Sequence, residues 1–146
     1  RKLRVLTENT TTKKDWCEAA KVAYKHTYGY EWQGDSLLLA RENAFYTFID
    51  YYEEKFNEYP SKEYLFEIAE IISWNFWQMD GLKGVIPNSC HDEIENMPLL
   101  FEEEQVKVSQ CPGCKNKDFN THNGIYCLIM DWETNKPITF VSLLKK

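Results

Sequence analysis

No stretch of this chain approaches the roughly 18–20 successive apolar residues of a membrane-spanning helix, and none reads as a secretory leader. A membrane partner is therefore not expected. Glycine is scarce, at 6 of 146 residues. Neither Gly-x-Gly-x-x-Gly nor a Walker loop occurs, which excludes a self-contained phosphate cradle of either kind. Positive charge is in deficit: 17 Lys and Arg stand against 23 Asp and Glu, for a net charge of −6. A free-standing nucleic-acid binder should carry a basic face, so any basic groove for DNA must lie outside this chain. Histidine is limited to His26, His91 and His122, with no nucleophile motif around any of them. No catalytic residue is assigned.

The 146 residues suit one domain with a real core, and the apolar share of 43% is ordinary. Aromatics are plentiful at 15%. Their first reading is as flat rings filling a helix–sheet core, and their second as a stacking surface for a base. Five cysteines is an odd number, and two form Cys-x-x-Cys. That favours a cytoplasmic chain with reduced thiols or a metal site over a secreted disulfide scaffold. A first residue of Arg1 rather than Met is what an excised or processed segment presents.

Along the chain, residues 1–12 read as an extended, polar lead-in. Thr12 caps a helix carrying Trp16, Ala19, Ala20, Ala23 and Tyr24 at helical spacing. Tyr28 to Trp32 reads as a short buried strand ending in Glu31. Asp35 caps a helix from about 36 to 56 with Leu38, Phe45, Phe48, Ile49, Tyr52 and Phe56 as its stripe; Arg41 is assigned to its solvated face. Ser61 caps the next helix (Leu65, Ile68, Ala69, Ile72). An apolar run, Phe76 to Met79, then ends in Asp80-Gly81. Residues 83–123, with Pro87, the acidic Glu102-Glu103-Glu104 run and Cys111-Pro112-Gly113-Cys114, form a long excursion that needs a staple. Residues 124–133 and 138–144 read as strands joined by the turn Thr134 to Pro137, a C-terminal β-hairpin. The organisation expected is thus 1–82, an insertion 83–123, and a hairpin 124–146.

Two strand-ending acids joined by helical sequence are what a doubly wound sheet offers a nucleotide cofactor. Glu31 can accept from both ribose hydroxyls, and Trp32 can stack on adenine. Asp80 can accept from the exocyclic amine, with Gly81 allowing close backbone approach. Cys111 and Cys114 are half of a tetrahedral thiolate site set by a Pro-Gly knuckle. The favoured zinc set is Cys90, Cys111, Cys114 and Cys127, with His91 or His122 as substitutes. Cys17 reads as a small core residue.

Tyr28-Gly29-Tyr30-Glu31-Trp32-Gln33-Gly34-Asp35 with Leu38-Leu39-Ala40-Arg41 resembles a stretch of bacterial DNA adenine-N6 methyltransferases. Those enzymes belong to type II restriction–modification systems and include fused methylase–endonucleases. Ile71 to Asn75 through Gln78-Met79-Asp80-Gly81-Leu82 resembles their next landmark. Cys127 to Trp132 resembles the segment shortly before their Asn-Pro-Pro-Tyr motif. The resemblance runs from about residue 10 to 144. It implies a partial Rossmann-like α/β methyltransferase sheet with flanking helices. It also implies S-adenosylmethionine as cofactor, with Glu31 on the ribose, Trp32 near the adenine, and Asp80 on its amine. The glycine-rich loop and Asn-Pro-Pro-Tyr are both absent from these residues. The expectation is an internal segment without methyl transfer of its own, meeting DNA through the rest of a parent chain. The rival readings are a zinc-stapled interaction module of a DNA-processing enzyme, and a nucleotide-binding fragment of another enzyme class.

Overall fold

The computed structural model describes residues 1–97 and 105–144, so the Glu102–Glu104 run lies outside the described residues. The fold is mixed α/β, and among the described residues no sheet has more than two strands. Two compact units share the chain: Arg1–Gln78 with Ile129–Pro137, and Met79–Leu128 with Ile138–Lys146.

In the first unit the lead-in is helical rather than extended: α1 spans Lys2–Thr7 and packs on α2 (Lys13–Lys25). Leu3 and Thr7 are buried. The end of α1 is tied down by Lys55, whose Nζ donates to the carbonyls of Thr7 (3.1 Å) and Thr10 (2.6 Å). That long-range tie is invisible in a polar lead-in read locally. Thr12 caps α2 as expected, accepting from the Asp15 N–H at 3.1 Å. Trp16, Cys17, Ala20, Ala23 and Tyr24 form its buried stripe.

After β1 (Gly29–Glu31) comes α3 (Gly34–Phe56), then α4 (Lys62–Asn75) and β2 (Phe76–Gln78). Gln33 is the N-cap of α3; Asp35 lies inside the first turn, where its carboxylate accepts from the Ser36 N–H at 2.9 Å. Phe48, Ile49 and Tyr52 are buried against Trp16, whose ring centroid lies 5.5 Å from those of both Phe48 and Tyr52. Aromatics therefore fill this core, as their abundance suggested. Leu38, assigned to the stripe, points outward and is 57% exposed, while Leu37 takes the buried position.

β1 and β2 are parallel neighbours in the register Gly29↔Phe76, Tyr30↔Trp77, Glu31↔Gln78. The expected strand–helix–helix–strand unit thus forms, with its acid at the carboxyl end of β1. The strand is not buried, however: Tyr30 is 59% exposed and Trp32 46%. A two-stranded ribbon leaves edges and faces uncovered.

Arg41 is not on a solvated face. Its guanidinium donates to the Phe76 carbonyl (2.6 and 3.2 Å) and reaches that of Ser73, at the point where α4 becomes β2. Replacing it by Met keeps the stem and removes the fork. Urea unfolding should then show a loss of about 1 kcal/mol, discounted for partial exposure.

In the second unit Val85 bridges to both Asp80 and Tyr126. β3 (Glu93–Met97) and β4 (Gln105–Ser109) pair antiparallel, from Glu93↔Ser109 to Met97↔Gln105. A short helix α5 (Pro112–Asn116) follows. β5 (Leu128–Asp131) and β6 (Lys136–Thr139), most of whose residues belong to the first unit, form the expected hairpin, with the turn earlier by two residues, so that Pro137 lies in a strand. Asp131 builds that turn, accepting from the Thr134 hydroxyl (2.7 Å) and the Glu133 N–H (3.0 Å), contacts that hold its carboxyl below the usual range. The expected strand does not continue to 144: Phe140–Leu144 is a 3-10 helix. Its first N–H goes to the Cys127 carbonyl at 2.9 Å, and Ser142 turns back to the Thr139 carbonyl at 2.6 Å.

Candidate metal centre

Four side chains of the second unit converge: Cys90, Cys111, Cys114 and His122, with their candidate ligand atoms all within 4.8 Å of one another. The His122 Nδ1 lies 3.5 Å from the Cys90 sulfur and 3.7 Å from those of both Cys111 and Cys114. A ring nitrogen has one lone pair or one proton, so it can satisfy only one of three such neighbours by hydrogen bonding. A cation held between them satisfies all four, so the donor set fits a metal ion.

Local sequence explains the convergence. Cys111 is the N-cap of α5 and Pro112, with its fixed φ, starts the turn. The turn returns Cys114 beside Cys111, and Lys117 ends it in the left-handed region, at φ 54°. The loop 118–123 is then folded back by the Thr121 carbonyl, which accepts from the Gly113 N–H at 3.0 Å. The Asn123 N–H points at the Cys111 sulfur (3.4 Å), and the Tyr126 hydroxyl accepts from the His122 N–H at 2.9 Å. Burial alone would push the Cys111 thiol up, but N–H groups of Asn123 and Cys114, with His122 and Cys90, outweigh it and lower it. Cys90 is pushed the other way, by burial and then by Cys111 and Cys114.

Two glycines are required by close approach. A Cβ on Gly113 would lie 2.6 Å from the His122 ring and backbone, and one on Gly124 would lie 2.9 Å from the Cys90 sulfur. Gly113→Ala should therefore displace the histidine and weaken zinc affinity by about 10–100-fold, as loss of a supporting contact does. Competition with a chromophoric zinc chelator measures this.

The fourth member is His122, not Cys127. Cys127 is buried just before β5, its N–H on the Gly84 carbonyl at 3.0 Å, and burial pushes its thiol up to about 11. His91 is exposed, with its backbone tied to the Asn123 side chain at 3.2 and 2.8 Å. Cys17 is in the α2 core, as expected.

No family model, curated protein or solved structure matches this chain. Function therefore has to be argued from its own residues.

Of the four residues assigned to a nucleotide cofactor, Glu31 and Trp32 lie in the first unit. Glu31 is half-buried at the end of β1, and one carboxylate oxygen accepts from the N–H of Trp32 (2.8 Å) and of Gln33 (3.4 Å). The Trp32 carbonyl accepts from Gln78 at 3.1 Å, and its ring is half-exposed. Asp80 and Gly81 lie in the second unit. The Asp80 carboxylate is buried, accepts from the Leu82 N–H at 3.0 Å and faces Lys83 at 3.6 Å, while its carbonyl accepts from the Lys83 and Gly84 N–H groups. Gly81 is within that turn. Among the described residues no helix is long and apolar enough to cross a membrane.

Proposed function

We propose that this chain is an internal segment of an S-adenosylmethionine-dependent DNA adenine-N6 methyltransferase of the type II restriction–modification kind. It would carry part of the cofactor site of a Rossmann-like sheet. The observation that supports the reading is the parallel pair β1–β2, joined through α3 and α4, with Glu31 at the carboxyl end of its strand. Cofactors of doubly wound sheets bind outside the carboxyl ends of the strands, and a carboxylate there can accept from both hydroxyls of a ribose. Glu31 already accepts from two backbone N–H groups, which orient its carboxylate. Trp32, exposed beside it, offers a ring face for an adenine.

In this reading the transferred methyl and the target base are handled elsewhere, since no Asn-Pro-Pro-Tyr occurs here. The target adenine would be flipped out of the duplex by the parent enzyme. The parent gene is expected to encode a glycine-rich loop ahead of this segment and Asn-Pro-Pro-Tyr beyond it. The parent protein should transfer label from S-adenosylmethionine to adenine in DNA, whereas this chain alone should transfer none. Glu31→Ala in the parent should weaken cofactor binding by about 10–100-fold, the worth of charged hydrogen bonds. Absence of both motifs from the parent gene, or methylation by the isolated chain, overturns the reading.

The Cys3His cluster favours a second reading, in which the metal-stapled unit is an interaction module of a DNA-processing enzyme and Glu31 serves only to start α3. A parent gene without the methyltransferase motifs, but with a metal-dependent partner, would select it.

A further inference from the structure

We infer that the second unit is built around one structural zinc ion, ligated by the sulfurs of Cys90, Cys111 and Cys114 and by Nδ1 of His122, and that this ion is what folds it. A tetrahedral zinc with ordinary Zn–S and Zn–N bonds separates a sulfur from a nitrogen ligand by about 3.6 Å. The three observed separations are 3.5, 3.7 and 3.7 Å. All three sulfurs therefore sit where one ion at the centre would put them relative to the ring. A maximum spread of 4.8 Å suits a single ion rather than a polynuclear cluster. Thiolate and imidazole donors select zinc over magnesium or calcium, which require oxygen ligands.

The site is closed. Four protein ligands complete the tetrahedron, and Cys111 and His122 are buried, so no position is left for water or substrate. Zinc with three thiolates and a neutral imidazole carries one negative charge. The Lys83 ammonium lies close enough to Cys114 for their charges to attract, and so offsets it. The four ligands reach the centre from the loop before β3, the two ends of the α5 turn, and the loop 118–123. The long excursion is thereby closed by chemistry, in a unit with few large apolar side chains fully buried among the described residues.

The test uses the whole chain. Metal analysis of purified protein should find about one zinc per chain, and apo protein should take up one cobalt ion with the visible bands of tetrahedral thiolate coordination. His122→Ala should weaken that uptake by more than about 100-fold. His122→Cys should retain it with added charge-transfer intensity, and Cys127→Ser should leave it unchanged. Histidine ring nitrogen NMR on the unmodified zinc protein identifies Nδ1 directly, whatever the variants do. Hydrogen exchange should show residues 79–97 and 105–128 losing protection on chelation while α2, α3 and α4 keep theirs. A folded chain without zinc that fails to bind cobalt tetrahedrally overturns the proposal. So does metal loss in Cys127→Ser with retention in His122→Ala, or exchange unchanged by chelation.

Discussion

A chelator added to the zinc-loaded chain at neutral pH is expected to make four of its five cysteines react rapidly with a thiol reagent, leaving Cys17 slow. Cys90, Cys111 and Cys114 are released as ligands, and Cys127 follows because it is buried in the same unit. Cys17 sits in the α2 core of the other unit, where burial pushes its thiol up to about 11. Structural zinc contributes an apparent ~10–16 kcal/mol in small metal-folded domains, comparable with or larger than the whole stability of an ordinary domain, about 5–15 kcal/mol. Losing it should therefore unfold the second unit rather than loosen one loop. Before chelation the same reagent should find no rapidly reacting thiol. Five thiols released together would mean that the two units unfold as one. No change on chelation would mean that the cluster holds no metal.

Three of the four members of the Cys3His cluster were legible in the sequence because Cys-Pro-Gly-Cys is a local signal: the turn that brings two sulfurs together is encoded within four residues. Cys90 followed as an upstream partner. The fourth ligand depended on which of several downstream donors the chain folds back to the knuckle, and that is set by contacts between distant residues. The fold-back comes from the Gly113–Thr121 hydrogen bond and from the Tyr126 hydroxyl on His122. One cue was available. His122 lies in a turn-rich stretch, Asn120-Thr121-His122-Asn123-Gly124, whereas Cys127 leads directly into a strand. Loops can aim a side chain at a metal; a residue held by backbone pairing on both sides, as Cys127 is by Gly84 and Phe140, has its direction already fixed.

The helices carried their own signals. Thr12 and Ser61 cap where the sequence placed them, and the apolar spacing of α2 located its inner face; in α4 Ile68 and Ile72 are buried as placed, but Ala69 is exposed and Ile71 is buried instead. Misreadings arose where a distant partner decided. Arg41 looks solvated until the α4–β2 junction is placed beside it. Leu37 and Leu38 are equally apolar, and only the packing of α3 in the folded unit selects the first. The strand of Glu31 was read as buried because Tyr28-Gly29-Tyr30 is apolar. Burial depends on what covers a strand, and among the described residues only β2 pairs with it.

Asn75→Ala is expected to remove about 3–5 kcal/mol of the first unit's stability, an exceptional loss for one side chain. Asn75 is fully buried. Its amide donates to the carbonyls of Tyr24 (2.9 Å), Lys25 (3.2 Å) and Thr27 (3.2 Å), at and just beyond the end of α2. Its oxygen accepts from the Trp132 indole N–H at 2.9 Å. One side chain thus joins α2, α4 and the β5–β6 hairpin through contacts that water would otherwise have to make. Alanine leaves the Trp132 N–H and the Lys25 and Thr27 carbonyls without this partner, while the Tyr24 carbonyl keeps the Thr27 N–H; the cost is about 1–3 kcal/mol for each group truly orphaned, and a small cavity opens besides. Asn75→Leu separates the two effects: it refills the volume but restores no hydrogen bond, so it should recover under half of the loss. Trp132→Phe should cost about 1–2 kcal/mol by leaving the Asn75 oxygen alone. In the double variant with Asn75→Ala the losses should be less than additive, because the two side chains share one bond. Chemical denaturation of the zinc-loaded chain, followed by a probe within α2, gives all four values. Full recovery by leucine would show that volume at this position, and not its hydrogen bonding, holds the three elements together.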